Sequence, residues 1–473
     1  MLARVLVKGG VISTGKFLQI MEIAKKAGNT AVHLGSRQDI IFHISDRSDI
    51  DEMCQAGEIQ MVAVAESTAH ESQNVVSSIV SCDLGKSTSW IHEGTYLQIL
   101  ESLGARHTLK INVTDPMQPL VPALSGDLNF VASRHEKYWF LFIRFPHSEK
   151  SVEWPALVHS RDVSSVSKEI ESALENHAPM DLLALFAHVN TRVQPENRMK
   201  DHSVEFPAYT SPAYEGINNM RGKDRLWAGF YWRNNSYDIE FLERIAGLCE
   251  RTRNTRLFFT PWKSFLVKDI DPADILKWEI VIGRHGITMR HAAADLNWHI
   301  PLLDHRAQKL KTYIVRELDK RDIRTEGMTF SIQSKPANPF TTILIEPQNG
   351  LRTRYRILYA RDFNPNSNTY IEFDRDLFRS RLVHSIDFLC RRFYDEMPDT
   401  PAEQRIPSVT NRDTDNHYVY QCSHCKTVYD ANIGSVFNGI PRGVDFDELP
   451  DTFVCSTCES PKADFTFVMA ADL

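Results

Sequence analysis

Four cysteines near the C-terminus are the residues best able to do chemistry in this sequence. They form two C-x2-C pairs, Cys422-Ser-His-Cys425 and Cys455-Ser-Thr-Cys458. Four thiolates can close a tetrahedral shell that suits iron or zinc. The 29 residues between the pairs exceed the roughly 15–20 usual in a short zinc site. The residues around the pairs therefore say more about the kind of metal site than the spacing does.

Aromatic and acidic residues surround both cysteine pairs. Tyr420 stands two residues before the first cysteine, Phe446-Asp-Glu-Leu-Pro450 forms an acidic segment, and Pro461-Lys-Ala-Asp-Phe465 follows the last pair. This pattern resembles rubredoxin along its whole length. The resemblance implies one iron on the four cysteines and a one-electron Fe(III)/Fe(II) carrier. Because so short a domain needs a metal to hold it together, we expect a small aromatic core. Its members would be Tyr420, Tyr429, Phe446, Phe453 and Phe465.

The sequence departs from the rubredoxin pattern directly after each pair. The family usually has glycine there, in a left-handed turn, whereas this chain has Lys426 and Glu459. A non-glycine residue with positive φ costs on the order of 1 kcal/mol, which a folded domain tolerates. The same four ligands also suit a structural zinc ribbon, so the residues alone leave that alternative open.

Length and composition narrow the class of protein. With 473 residues the chain is too long for one core, and its net charge of −7 argues against a nucleic-acid-binding protein. No apolar run approaches the ~18 residues of a membrane span, and the N-terminal apolar stretch is too short for a signal peptide. We therefore expect a cytoplasmic protein. The other cysteines are predicted to be reduced core thiols: Cys54, Cys82, Cys249 and Cys390.

The remaining chain contains an internal repeat. Apolar spacing predicts a helix over Lys16–Lys26, followed by strands Ala31–Leu34 and Ile40–Ile44, which is a ferredoxin-like half. A second copy begins about 225 residues later, with a helix over Ile239–Cys249. Each copy is followed by a longer α/β stretch. The sequence thus predicts an α+β protein with these parts: a first repeat 1–180 with its ferredoxin-like half 1–70, a second repeat 205–396 with its half 222–280, a linker 397–417, and a small iron domain 418–473. Residues Met180 to Val204 are expected to join the repeats.

Several short motifs make the first 395 residues resemble the sulfite/nitrite reductase family. They are Gly28-Asn29, Ser36-Arg37-Gln38 with His43, Asn74-Val75, Lys110-Ile-Asn112 and Thr260-Pro-Trp262. The resemblance implies two pseudo-twofold related repeats, each a half-ferredoxin plus an α/β stretch.

Active members of that family carry sirohaem and a 4Fe-4S cluster held by C-x5-C and C-x3-C. Here Cys82 stands in the first position but Thr88 in the second, and Pro116 and Leu120 stand at the later pair. Because such a cluster normally requires four thiolates, we expect neither sirohaem nor 4Fe-4S. Arg37 and Lys110 remain as candidates for cofactor binding.

The basic residues of the repeats also have a purely structural interpretation. They are predicted to be surface or strand-end charges, an expectation that covers Arg37, Lys110, Lys263 and the segment 284–291. His43 is predicted to be a core histidine. Trp262 replaces the family arginine, which favours packing over anion binding.

These features lead to one expected function and two alternatives. The expected function is one-electron transfer to a nitrite or sulfite reductase, with an NAD(P)H-dependent or ferredoxin-type protein as donor and the reductase-like body as docking scaffold. The first alternative is a redox enzyme of the same family fed by its own rubredoxin domain. It needs a pocket between the repeats lined by Arg37, Lys110 and residues 284–291. The second alternative is a regulatory or assembly protein with a structural zinc.

Overall fold

The chain divides into two compact units, Met1–Glu396 and Met397–Leu473. The expected linker, 397–417, lies outside the residues that the structure describes. This computed structural model describes residues 2–45, 54–55, 59–64, 73–104, 107–146, 148, 150–176, 181–209, 211, 213–291, 295–302, 304–333, 340–348, 353–367, 369–396, 418–431, 434–435, 438–441 and 443–469.

The first unit contains both helices and strands, and the described part of the second unit contains three strands. The helices are α1 (Thr14–Lys26), α2 (Glu93–Ser102), α3 (Val163–Asn176), α4 (Leu182–Val193), α5 (Ile239–Arg251), α6 (Ile275–Arg284), α7 (His305–Lys320) and α8 (Arg379–Asp395). The strands are β1 (Leu2–Val5), β2 (Val11–Ser13), β3 (Ala31–Leu34), β4 (Ile40–His43), β5 (Met61–Val64), β6 (Val76–Ser77), β7 (Ile111–Thr114), β8 (Leu128–Ala132), β9 (Tyr138–Ile143), β10 (Val152–Glu153), β11 (Ala156–His159), β12 (Asn197–Met199), β13 (Gly216–Asn219), β14 (Leu226–Tyr231), β15 (Tyr237–Asp238), β16 (Arg256–Phe259), β17 (Ser264–Ile270), β18 (Trp298–His299), β19 (Phe330–Ile332), β20 (Ile343–Gln348), β21 (Arg354–Ala360), β22 (Tyr370–Leu377), β23 (Tyr418–Cys422), β24 (Val428–Tyr429) and β25 (Phe465–Met469).

Two ferredoxin-like sheets form the centre of the first unit and exchange strands. The sheet β15-β3-β4-β1-β5 takes β15 from the second repeat, and the sheet β13-β14-β17-β16-β2 takes β2 from the first. Helices α1 and α5 pack together and share one apolar core with both sheets. Each helix begins at a side-chain cap, since Ser13 accepts from Lys16 N and Asp238 accepts from Phe241 N. The exchange ties the repeats into a single folded unit.

Each repeat continues into a second sheet. The first contains β12-β11-β9-β8-β7-β6 with β10 beside β9, and the second contains β18-β19-β20-β21-β22. The stretch expected only to join the repeats contains α4 and β12. Leu185 and Val189 of α4 are fully buried, and β12 pairs with β11 at the register Leu157↔Arg198. The joining stretch is thus part of the first repeat's packing.

The second unit is built on a three-stranded antiparallel sheet, β24-β23-β25. Its core is aromatic and small, with Tyr429, Phe446, Leu449 and Phe453 buried. Within the described residues, no helix is both long and apolar enough to cross a membrane.

Candidate metal centre

The four cysteines of the second unit converge on one point. Their sulfur atoms all lie within 4.8 Å of one another, with Cys422 Sγ 3.7 Å from Cys458 Sγ and Cys425 Sγ 3.4 Å from Cys455 Sγ. Sulfurs bound at about 2.3 Å to a tetrahedral metal stand about 3.8 Å apart. The thiol cluster therefore has nearly the dimensions that a tetrahedral S4 site requires, and its all-sulfur donor set fits iron or zinc.

Two equivalent turns present these sulfurs. Lys426 N donates to Cys422 O at 3.0 Å, and Glu459 N donates to Cys455 O at 2.9 Å. Both Lys426 and Glu459 adopt positive φ, 63° and 59°. The left-handed turn expected at these positions is thus present without glycine, at a cost on the order of 1 kcal/mol per residue.

Backbone amides and hydroxyl groups surround the sulfurs. The amides of Cys425 and His424 lower the pKa of the Cys422 thiol. The hydroxyl group and amide of Thr427 lower the pKa of Cys425, whose sulfur lies 3.1 Å from Thr427 Oγ1. Both effects favour the thiolate that a metal needs. In the second pair, Ser460 Oγ lies 3.1 Å from Cys458 Sγ. The hydroxyl group and amide of Ser460 lower the pKa of Cys458, but the neighbouring thiols of Cys425 and Cys455 and burial raise it, to about 11. The sequence reasoning missed these hydroxyl groups, although each stands two residues after the second cysteine of its pair.

The aromatic core lies directly behind the metal site. Phe446 is 7% exposed and stacks on Tyr420 with ring centroids 3.9 Å apart. Phe453 and Phe465 contact the same ring at 5.9 and 5.4 Å. Tyr429 adds a further ring and donates its hydroxyl hydrogen to Val444 O at 2.7 Å. The five aromatic residues predicted for this core therefore form one connected cluster around Phe446.

The cysteines differ in exposure. Cys422 and Cys455 are buried, Cys425 is half-buried and Cys458 is exposed. One side of the cluster thus faces the aromatic core and the other faces solvent.

In the first unit, Arg37 is bound by the ends of neighbouring strands. Its Nη1 donates to Asn112 Oδ1 at 2.7 Å, and its Nη2 donates to Asn74 O and Ile111 O at 2.6 and 3.0 Å. Burial lowers the pKa of Arg37 to about 10. Burial also lowers the pKa of Lys110, against the opposing effect of Asp127. Both cations thus lie in a desolvated region at strand ends.

Gln38, for which the sequence suggested no specific role, joins the two repeats. Its Nε2 donates to Ser77 O at 3.0 Å and to Phe259 O at 2.8 Å, and its Oε1 accepts from Ser77 N at 2.9 Å. The side chain is fully buried. The only signal in the sequence was its place beside Arg37 in a short polar motif.

The residues at the expected positions of cluster cysteines make ordinary structural contacts. Burial raises the pKa of Cys82 to about 12, so this thiol stays protonated. Thr88 donates from N and Oγ1 to the carboxylate of Asp115 at 2.7 and 2.8 Å. Leu120 is buried, and its carbonyl accepts from Trp262 Nε1 at 3.0 Å.

Trp262 packs as predicted. It is 2% exposed, stacks on Tyr214 with centroids 6.3 Å apart, and contacts Phe340 at 5.4 Å. This cluster is continuous with the core of the first repeat. Apolar side chains therefore fill this contact between the repeats.

The prediction for His43 is wrong, because its side chain is exposed. Ile40, Phe42 and Ile44 are buried, and the alternation of a strand places the intervening residues on the opposite face. Of the charges expected at the surface, Lys263 instead donates from Nζ to Ile300 O, and burial lowers its pKa to about 8.

Segment 284–291 makes contacts of its own. The imidazole of His291 contacts Glu215 at 2.7 Å, whereas Arg284 lines an open groove of about 450 Å³ on α5 and α6. Arg37, in contrast, is bonded within the first repeat. The structure thus places Arg37 and Arg284 in different surroundings.

Family models match both ends of the chain. Residues 419–465 match the rubredoxin model, and residues 2–56 match the model of the nitrite/sulfite reductase ferredoxin-like half domain. The chain is similar to the Mycobacterium tuberculosis NirA protein, with a TM-score of 0.63 and 14% identity over 84% of this chain and 81% of that one. At this identity the likeness establishes the fold. The predicted α+β fold of nitrite/sulfite reductase type is confirmed.

Curated relatives match the C-terminal end. Rubredoxin-1 of Chlorobaculum tepidum is 38% identical over 47 residues, which cover 10% of this chain and 68% of the relative. Rubredoxin 4 of a Rhodococcus species is 34% identical over 53 residues, which cover 11% of this chain and 88% of the relative. This relationship supports iron binding by the four cysteines. Through its C-terminal segment, 419–465, the chain belongs to the rubredoxin family.

Proposed function

We propose that this protein is a one-electron carrier that donates electrons to a nitrite or sulfite reductase, with its reductase-like body as the docking scaffold. The observation that carries the proposal is the cluster of four sulfur atoms, nearly tetrahedral in size and exposed at Cys458. When bound there, one iron supplies the Fe(III)/Fe(II) couple. An NAD(P)H-dependent or ferredoxin-type protein would supply the electrons.

The residues around the cluster support rapid electron exchange. Amides next to Cys422, and the amide and hydroxyl group of Thr427 next to Cys425, stabilise negative charge on these two sulfurs. The aromatic core holds the two turns in place, so little rearrangement accompanies a change of charge. The exposed Cys458 lets a partner approach one ligand closely.

A scaffold role for the body rests on what occupies the contact between the repeats. Trp262, Tyr214 and Leu120 fill it with apolar groups, and Thr88 is bound to Asp115 where a cluster cysteine would stand. At two of the positions where the family resemblance expects cluster cysteines, Thr88 and Leu120 thus have other partners. These contacts support a role for the body in docking rather than in sirohaem chemistry.

One observation favours the alternative of a redox enzyme. Arg37 and Lys110 are desolvated. Burial lowers the pKa of Lys110, and the positive charges of Arg37, Arg4 and Arg144 lower it further, against the opposing charge of Asp127. Arg37 Nε is buried and has no partner among the described residues. Several cations in one low-dielectric region favour an anion. A cofactor or oxyanion bound by Arg37 and Lys110, served by the protein's own iron centre, is therefore the second candidate.

Stopped-flow mixing tests the proposal. The reduced, iron-loaded protein is mixed with an oxidised sirohaem nitrite reductase or sulfite reductase, and the thiolate-to-iron absorbance is followed. We expect second-order oxidation of the carrier. Addition of excess C422S/C455S double variant, which retains the body, should slow the reaction by competing for the partner.

The controls distinguish the candidates. If the reaction is not slowed by the metal-free variant, the body is not the docking surface. If neither acceptor oxidises the carrier, the donor role is wrong. Reduction of nitrite or sulfite by the iron-loaded chain alone, lost in an Arg37→Met variant, would favour the enzyme.

A further inference from the structure

A second group of metal-ligating side chains lies in the first unit, far along the sequence from the cysteines. Two groups of three or more potential ligands occur in the described part of the chain, and this one consists of His135, Asp201 and His202. One ligand atom from each lies within 4.8 Å of the others. We propose that these residues bind one divalent cation of the zinc type.

The two imidazole rings converge on one carboxylate oxygen. His135 Nε2 lies 2.8 Å and His202 Nδ1 lies 2.6 Å from Asp201 Oδ1. Ligands bound to zinc at about 2.0–2.1 Å stand about 3.3 Å apart, so a bound ion requires the N–O separations to open by about half an ångström. Two imidazoles and one carboxylate suit Zn²⁺ or Ni²⁺ better than Mg²⁺ or Ca²⁺, which prefer oxygen.

Secondary structure holds the ligands at these positions. His135 lies in the turn between β8 and β9, where its N donates to Ser133 Oγ at 3.1 Å. Asp201 and His202 follow β12, and the preceding Lys200 is anchored through Nζ to Trp154 O at 2.9 Å. The His202 ring packs against Phe140 at 5.1 Å. Because the fold fixes both segments independently of a metal, the two imidazoles and the carboxylate lie close together before an ion binds.

The ligands are partly shielded from water. The side chains of His135 and His202 are 19% and 17% exposed, whereas Asp201 is 48% exposed. An ion would thus enter from the side of the carboxylate. Three protein ligands leave a coordination position for water or another small ligand. Bound metal would join the β8–β9 turn to the segment after β12.

Arg134 competes with a metal ion at this site. Its Nη2 lies 3.0 Å from Asp201 Oδ2, and its side chain is 61% exposed. A metal ion would therefore have to share this carboxylate with the guanidinium group. Removing Arg134 should favour the metal, an effect that a purely structural ion cluster would not produce.

The chain offers a matched control. His188 Nε2 contacts Glu169 Oε1 at 2.8 Å, and Arg192 Nε lies 3.6 Å from the same oxygen. This cluster has one histidine, one carboxylate and one arginine, but it lacks the second imidazole. It should therefore bind Zn²⁺ no better than ordinary surface groups.

Calorimetric titration of the full, iron-loaded chain with ZnCl₂ at neutral pH tests the site. Retention of the thiolate-to-iron absorbance shows that zinc has not displaced the iron. We expect one Zn²⁺ per chain, binding at least about tenfold weaker in Asp201→Asn and His202→Ala variants. Arg134→Ala should bind about two- to five-fold more tightly, and His188→Ala should bind like the parent.

Other outcomes would overturn the site. Absence of stoichiometric zinc binding, or equal binding by the isosteric Asp201→Asn variant, contradicts it. So does an Arg134→Ala variant that binds zinc more weakly, or a His188→Ala variant that loses as much affinity as His202→Ala. Near-ultraviolet circular dichroism of each variant identifies any that fails to fold, and Asp201→Asn and Arg134→Ala then decide.

Discussion

Replacing Phe446 by alanine should destabilise the iron domain strongly. Phe446 is 7% exposed and contacts Tyr420, Tyr429, Phe453 and Phe465, so the vacated space is enclosed by rings that cannot easily collapse into it. Buried phenylalanine-to-alanine changes cost about 3–5 kcal/mol. A module of roughly 50 residues has a total stability of roughly 3–8 kcal/mol. The variant should therefore lose most of the stability that holds the iron.

Urea titration of the full iron-loaded chain measures this effect through the thiolate-to-iron absorbance. The midpoint for Phe446→Ala should fall far below that of the parent. Phe467→Ala is the matched control, since this ring belongs to the same unit but is 57% exposed. Its ring contacts Tyr420 at 5.2 Å, so its loss should cost only about 0.5–1.5 kcal/mol. Equal midpoints for the two variants would refute the claim that the aromatic core supports the metal site.

Three further predictions concern the cysteines, the body and pH. Cys455→Ser should abolish stoichiometric iron binding, whereas Cys82→Ser should leave the iron content and absorption spectrum unchanged; metal analysis checks both. Trp262→Ala should lower the unfolding free energy of the body by about 3–5 kcal/mol without changing the iron absorption, as measured by denaturant unfolding followed by circular dichroism. Burial, with a smaller contribution from Lys263, lowers the pKa of His299 from 6.5 to about 3, so the unfolded state takes up a proton that the folded state does not. Stability should therefore fall as pH falls from 6.5 toward 3, and His299→Gln should reduce this fall; an unchanged pH dependence would contradict the assignment.

The sequence predicted the elements whose apolar residues recur at a fixed period. The helix over Lys16–Lys26 and the strand Ala31–Leu34 correspond to α1 and β3, because one buried face imposes its spacing on the chain. The rubredoxin-like end was predictable for a different reason, since its metal ligands and aromatic core leave little freedom of sequence. Both kinds of pattern involve residues that lie near one another in the sequence.

Features that depend on contacts between residues far apart in the sequence could not be predicted from it. Nothing in Tyr237-Asp238 indicates that these residues complete a sheet of the other repeat beside Val32. His43 was misassigned because Ile41 makes the face of His43 look apolar as well, whereas only the face of Ile40, Phe42 and Ile44 is buried. The buried hydrogen bonds of Arg37 likewise depend on Asn74 and Asn112, which only the fold brings near.

Metal analysis with an absorption spectrum, on protein purified from iron-replete cells, tests the central claim most directly. The account predicts a red protein with one iron per chain, thiolate-to-iron bands alone, and bleaching on reduction. Tetrapyrrole bands or additional iron and sulfide would contradict the proposed scaffold role of the body. A colourless protein that retains zinc at the four cysteines after iron reconstitution would contradict the electron carrier itself.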